Sequence, residues 1–429
     1  MQIPIERFTL GNGLRVVLSE DHSNPVVAVN LWYDVGSRNE RPGRTGLAHL
    51  FEHMMFKGSQ HVGEPGHIAH VERVGGSLNA STWLDRTTYY DTVPADRLEL
   101  ALWLESDRMG FFLPALSREK LDTEREVVKN ERRQRVDNQP YGDWDERLQA
   151  LLYPPDHPYH HPVIGSMADL EAMGLEDVRD FFRTFYAPNN AVLTLCGDFE
   201  PAGARELVER WFGPIPRGPG LPPLPGRPVL DPLRLGAEAR GVVEGGVPLP
   251  RVYVAWRIPP YGAPEYYAAD VLSELLAGGK SSRLYRDLVR ERRLARSVGA
   301  FVLPVVTGAS ALIVRGSVPP AGDAAALEAA VLAEVERIAA GGPDAAELER
   351  ALTGLEARHV FELQKVDERA DQLSMLATYF DDPGLINTEL DRYRAVTAAA
   401  VQRLAREYLG DDNRVVLTYL PGAAAAEEA

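Results

Sequence analysis

Apolar residues in this chain fall into two local patterns, and the order of those patterns repeats. Runs such as PVVAVNLWYDVGS and PRVYVAWRIPP look like antiparallel strands, whereas the alanine- and leucine-rich stretches carry helical spacing. The segment VRDFFRTFYAPNNAVLTL reads as an amphipathic helix, a turn at Pro188-Asn189-Asn190, and an apolar strand. Near the C-terminal end VQRLAREYLGDDNRVVLTYL gives the same helix, polar turn and strand. Matching Asn190 to Asn413 sets an offset of 413 − 190 = 223 residues. The same offset pairs Val178 with Val401, Arg183 with Arg406, Phe185 with Tyr408 and Val192 with Val415, and also Lys57 with Lys280 and Ser59 with Ser282. Midway lies PIPRGPGLPPLPGRPVLDPL, residues 214–233, the stretch richest in proline and glycine, which reads as an extended linker. The pattern predicts an α+β fold of two homologous halves, a first domain over 1–213 and a second over 234–429, joined by that linker. The terminal AAAAEEA, residues 423–429, is expected to be a frayed tail.

Composition narrows the function classes. A chain of 429 residues with 45% hydrophobic and 25% charged residues has the make-up of a globular protein of two or more domains. It contains no run of roughly 20 apolar residues, so no membrane partner is expected. The opening MQIPIERFTLGNGLRVVL reads as a first strand rather than a signal segment, which points to a cytoplasmic location. Net charge is −16, with 62 acidic side chains against 46 basic ones, which argues against nucleic acid as a partner because phosphate binding needs a basic face. Cys196 is the only cysteine, so an internal disulfide is excluded and a metal site must draw on histidine and carboxylate.

Such a site is written into GLAHLFEHMMFKGS, which holds His49, Glu52 and His53 as His-x-x-Glu-His. Histidines four apart share one helix face, and Glu52 can reach a water on the same ion. Three protein ligands and one open position are the plan of a catalytic zinc, beside which a carboxylate can move protons. Leu47, Leu50, Phe51, Met54 and Met55 mark the helix as buried, where two histidines and a carboxylate are costly unless satisfied. A further ligand is expected from LDTEREVVKNERRQRVDNQP, in which Glu124 and Glu131 are seven apart and share a face while Glu126 points away. Spacing leaves open which of the two binds an ion and which supports a ligand histidine. Arg125, Lys129, Arg132 and Arg133 make a merely solvated helix the competing reading. The offset sends His49, Glu52, His53 and Glu131 to Leu272, Leu275, Leu276 and Gly354, so one metal site per chain is expected. His157, His160 and His161, in a proline-bounded loop, and His61, His67 and His70 give no second complete ligand set.

These motifs, with LGNGLRVVLSED, GSRNERPGRTGLAHLFEHMMFKGS, GGSLNASTWLDRTTYY, EREVVKNE, FYAPNNAVLTLCGDF and GGKSSRLYRDLVRE, make nearly the whole chain similar to the M16 family. These are the pitrilysin- and insulinase-like inverzincin metallopeptidases, and the short bacterial type resembling the mitochondrial processing peptidase beta subunit fits best. The resemblance implies two duplicated LuxS/MPP-like α/β units forming one half of a clamshell around a chamber. It implies one zinc ion per chain on His49, His53 and Glu131, with Glu124 behind the ligands and Glu52 as general base. It further implies that GGSLNAST forms an exposed edge strand on which an extended peptide adds, with Asn79 and Ala80 contacting substrate backbone.

The sequence departs from the family at one place. Many active members carry an arginine and, seven residues later, a tyrosine that stabilise the reacting carbonyl. In VRERRLARSVGAF those positions hold Val289 and Arg296, the nearest arginine being Arg290. The resemblance then implies a homo- or heterodimer in which another M16-like subunit supplies the pair, unless Arg296 or Tyr285 substitutes. The expected function is zinc-dependent endopeptidase action on unfolded peptides or leader segments in a closed chamber, including the case of an enzyme dedicated to one modified peptide. The alternative is a non-catalytic core or scaffold subunit, against which an intact set of His49, Glu52, His53 and Glu131 argues.

Overall fold

The structure, a computed structural model, describes residues 2–64, 66–231, 233–320 and 322–422; the expected frayed tail lies outside them. The described residues form an α+β fold with two sheets. The first contains β1 (Glu6–Thr9), β2 (Arg15–Glu20), β3 (Val26–Tyr33), β4 (Ser77–Thr82), β5 (Thr87–Pro94) and β6 (Ala191–Gly197), in the order β1-β2-β6-β3-β5-β4. The second contains β7 (Ala239–Glu244), β8 (Arg251–Ile258), β9 (Ser297–Leu303), β10 (Ser310–Ser317) and β11 (Arg414–Leu420), in the order β7-β11-β8-β10-β9. From 214 to 238 the described chain forms neither helix nor strand.

The repeat predicted at 223 residues holds at the level of hydrogen bonds. Asn190 Nδ2 donates to the Phe185 carbonyl at 2.8 Å and to that of Asp34 at 3.3 Å. Asn413 Nδ2 donates to the Tyr408 and Arg257 carbonyls at 2.6 and 2.8 Å, and each of those partners is displaced by the same offset. Register follows suit, since Trp32 stands opposite Val192 and Ala255 opposite Val415.

The compact units are interleaved rather than contiguous. One comprises Met1–Arg132, His161–Pro225 and Val360–Thr388; the other Arg133–His160, Gly226–His359 and Glu389–Ala429. The division expected at the linker therefore describes order along the chain, while each unit receives one helix from the other half. In the first unit the helix Val366–Phe380 packs across β3 and β6. Val27, Val29, Leu31 and Tyr33 of β3 enter the main core on one face. The alternate residues meet the incoming helix: Ala28 packs with Cys196 and Ala370, and Trp32 sits edge-on to Tyr379 at 5.9 Å. Asn30 Oδ1 accepts from Ser374 Oγ at 2.9 Å. Burial on both faces explains the near-continuous apolar run of this strand. In the second unit the helix Trp144–Leu152 lies over β7, β8 and β11 in the same way, with Trp144 stacked on Tyr253 at 5.2 Å. Among the described residues no helix is long and apolar enough to cross a membrane.

Candidate metal centre

Two helices of the first unit build the site. The motif helix Leu47–Met54 buries Leu47, Ala48, Leu50, Phe51 and Met54 in the core, which leaves His49, Glu52 and His53 half-buried on its other face. Its N-terminus is held by Glu40, a buried carboxylate that accepts from the backbone N–H groups of Gly46 and Ala48 at 2.8 and 2.7 Å. A carboxylate there complements the helix dipole. The carboxylate helix Arg118–Arg132 packs against the motif helix, with Glu124 buried, Glu131 half-buried and Glu126 exposed.

The ligand atoms converge. Glu131 Oε2 lies 3.6 Å from His49 Nε2 and 3.3 Å from His53 Nε2. One ligand atom from each of the three residues lies within 4.8 Å of the others. Metal–ligand bonds of about 2.0–2.1 Å put the edges of a tetrahedron near 3.4 Å, so this set can hold a divalent ion. Glu124 takes the other position left open by spacing, with Oε2 at 3.4 Å from His53 Nδ1. Burial works against a charged His53, yet Glu124 and Glu131 raise its pKa to about 9. The cluster thus calls for a positive charge, which an ion supplies as well as a proton does.

Glu52 stands beside this set. Burial raises its pKa, while a hydrogen bond from Thr82 Oγ1 to Oε2, 2.6 Å long, pulls the other way. Thr82 ends β4, the outermost strand of its sheet, which packs on the motif helix. The expected edge strand is therefore present, with Asn79 exposed and Ala80 half-buried. The Ala80 N–H donates to its neighbour's Asn79 Oδ1 at 2.9 Å, so it points away from the ladder with β5.

Glu40 and Thr82 were not picked out from the sequence. Both lie inside the quoted motifs: Thr82 reaches Glu52 from a strand 30 residues on, and Glu40 caps the motif helix from the loop six and eight residues ahead of its partners, a contact that no periodicity marks.

The remaining candidates are structural. His67 is buried with Nε2 2.9 Å from the Leu104 carbonyl, and His157 stacks on Tyr153 at 4.9 Å. His160 Nδ1 lies 2.7 Å from the Tyr153 carbonyl, His61 pairs with Asp107, and His70 meets Trp103 edge-on. A second possible ligand set, Glu20, His22 and Glu200, is partly exposed, and its histidine is engaged by Glu20 and Asp198. In the second unit Leu272, Leu275 and Leu276, the counterparts of the motif residues, are core residues. Tyr285, Val289 and Arg290 lie on the helical turn Tyr285–Glu291, and Arg296 is exposed just ahead of edge strand β9.

This architecture and ligand set are those of an inverted-motif metallopeptidase fold. Residues 15–153 match the family model Insulinase (Peptidase family M16), and residues 172–355 match Peptidase M16 inactive domain. The chain is 30% identical over 419 residues to the zinc protease PqqE of Helicobacter pylori, covering 97% of this chain and 93% of that protein. It is 26% identical over 416 residues to a probable mitochondrial-processing peptidase subunit beta of Arabidopsis thaliana, covering 94% and 76%. A crystal structure of a protease from Helicobacter pylori matches with a TM-score of 0.91 at 28% identity, over 98% of this chain and 100% of that one. The chain belongs to the M16 peptidase family.

Proposed function

We propose that the protein is a zinc-dependent endopeptidase acting on unfolded peptides or leader segments. The observation that carries this reading is the convergence of His49, His53 and Glu131 beside a carboxylate, Glu52, whose pKa is raised by burial. Zinc, when bound by those three residues, polarises the scissile carbonyl and makes water available for attack near neutral pH. Glu52 does the proton work. Thr82 occupies Oε2, leaving Oε1 to accept a proton and return it to the leaving amine. Edge strand β4 holds the substrate by strand addition: a peptide exchanges the Asn79 side chain for its own carbonyl on the Ala80 N–H.

The chain acts as the zinc-bearing subunit of a dimer, with another M16-like subunit supplying the arginine and tyrosine. Support comes from Val289 and Arg296 at the positions where the family carries that pair. Oxyanion-type donors are worth about 10²–10³ in rate, so the chain alone should cleave slowly and accelerate on addition of its partner.

The test is zinc content and cleavage of a quenched unfolded peptide by the protein and its Glu52→Gln variant. Stoichiometric zinc in both, with cleavage at least about 10²-fold slower in the variant, is expected. Absence of zinc from the unmutated protein would overturn the reading.

A further inference from the structure

We infer that Lys57 is a positioning residue for the metal site: it holds Glu124 in place so that Glu124 can orient the ligand His53. This inference rests on the zinc reading above. Lys57 Nζ lies 2.7 Å from Glu124 Oε1, and the other oxygen of that carboxylate faces His53 Nδ1 at 3.4 Å. One carboxylate thus spans an ammonium and an imidazole. With Nδ1–H directed at Glu124, the Nε2 lone pair of His53 is turned toward Glu131, 3.3 Å away. Lys57 also reaches Glu64 Oε1 at 2.9 Å, which ties the end of the motif helix, the loop beyond it and the carboxylate helix into one cluster.

The duplicated half provides an internal control. The offset of 223 sends Lys57 to Lys280 and Glu124 to Glu347, so both residue types are kept. Their pairing is not. Glu347 is held by Arg283, with Nε to Oε1 at 3.0 Å and Nη2 to Oε2 at 2.5 Å, while Lys280 is exposed. The fold is therefore built in the second unit without a lysine–glutamate contact at this place. A cation therefore meets this glutamate in both units, and what is particular to the first is that the carboxylate held by the cation also faces a histidine, His53, where the second unit has Leu276. The arrangement also fits its cost: the Glu124 side chain is only 4% exposed, and an ionised carboxylate that buried needs an opposite charge beside it, which the Lys57 ammonium provides.

The experiment measures zinc affinity by competition with a chromophoric chelator, together with the zinc release rate, on the full chain. Lys57→Met keeps the side-chain length and removes the charge; Lys57→Arg restores a cation; Lys280→Met is the control in the duplicate half. Outer-shell partners of metal ligands are typically worth 10–100-fold in affinity, so Lys57→Met should weaken zinc binding by about tenfold and speed its release. Lys57→Arg should recover part of the loss, and Lys280→Met should match the unmutated protein. A melting curve on each variant separates misfolding from a loss confined to the metal. If Lys57→Met binds zinc within about twofold of the unmutated protein while Glu124→Gln does not, the inference about Lys57 fails and the zinc reading stands. An equal loss in Lys280→Met would also overturn it, as a general charge effect. If the unmutated protein takes up no zinc, both fall together.

Discussion

Glu52 is subject to two opposed influences, and their balance sets what it can do. Burial raises its proton affinity, which suits a base that must later act as an acid, while Thr82 donates to one oxygen and fixes the direction of the other. Replacing Thr82 by Val removes the donor at nearly constant volume. We expect kcat to fall by about tenfold, because the carboxylate loses its set orientation, with zinc content unchanged. Thr82→Ser should recover most of the rate. Parallel kcat and metal measurements check this, and a loss of zinc in Thr82→Val would show that the residue supports the ligands instead. At this scale the sequence was readable where geometry is local. His49, Glu52 and His53 lie on one helix, so their spacing alone brings them together. Glu124 and Glu131 also lie on one helix, but their roles depend on which end of the face meets the motif helix, and that is tertiary information. Thr82 and Lys57 reach the site from a strand and from a loop junction, where no periodicity marks the contact.

The edge strand and the exchanged helices carry the next level of the argument. A peptide added to β4 needs outward N–H groups, and the Ala80 N–H is one of them, now occupied by Asn79. Proline is tolerated on an edge strand where its missing N–H faced away from the ladder. Ala80→Pro should therefore leave the melting temperature nearly unchanged and raise KM for an unfolded peptide several-fold, with a smaller effect on kcat. An unchanged KM would show that substrate does not pair there. The duplicated helix–turn–strand corners could be read directly, because Asn190 and Asn413 each close a turn with the same two hydrogen bonds. Which sheet the helices Trp144–Leu152 and Val366–Phe380 cover could not. An amphipathic helix states that it packs on something apolar, and the linker suggested contiguous domains. The nearest signal was the composition of β3 and β8, whose residues beyond the first are all buried. Strands so apolar on both faces require a second covering layer, and the only question left open was which half supplied it.

Stability of the whole molecule should depend on pH through buried histidines that are not among the candidate metal ligands. Each compact unit holds one that is 2% exposed, His67 in the first and His157 in the second. Burial lowers the pKa of each from 6.5 to about 4. Between those values the unfolded chain binds protons that the folded chain refuses, so stability is fully present above about pH 6.5 and is lost progressively as pH falls toward 4. Going from about pH 7 to about pH 5 should cost about 2 kcal/mol per histidine. Other groups titrate as well: the exposed His22, raised to about 9 chiefly by Asp198 and then Glu20, stabilises the acid side, and protonation of metal ligands releases any bound ion. The total slope is therefore a sum, and the informative quantity is its change on substitution. His67→Gln keeps a donor for the Leu104 carbonyl without a titrating ring. Its denaturant midpoint should fall less between the two pH values than that of the unmutated protein, and His157→Gln should behave likewise. Combining the two should add their effects, since they lie in separate compact units. A pH dependence identical to the unmutated protein in both variants would mean that folding does not lower the proton affinity of either ring, and that acid sensitivity arises at other groups.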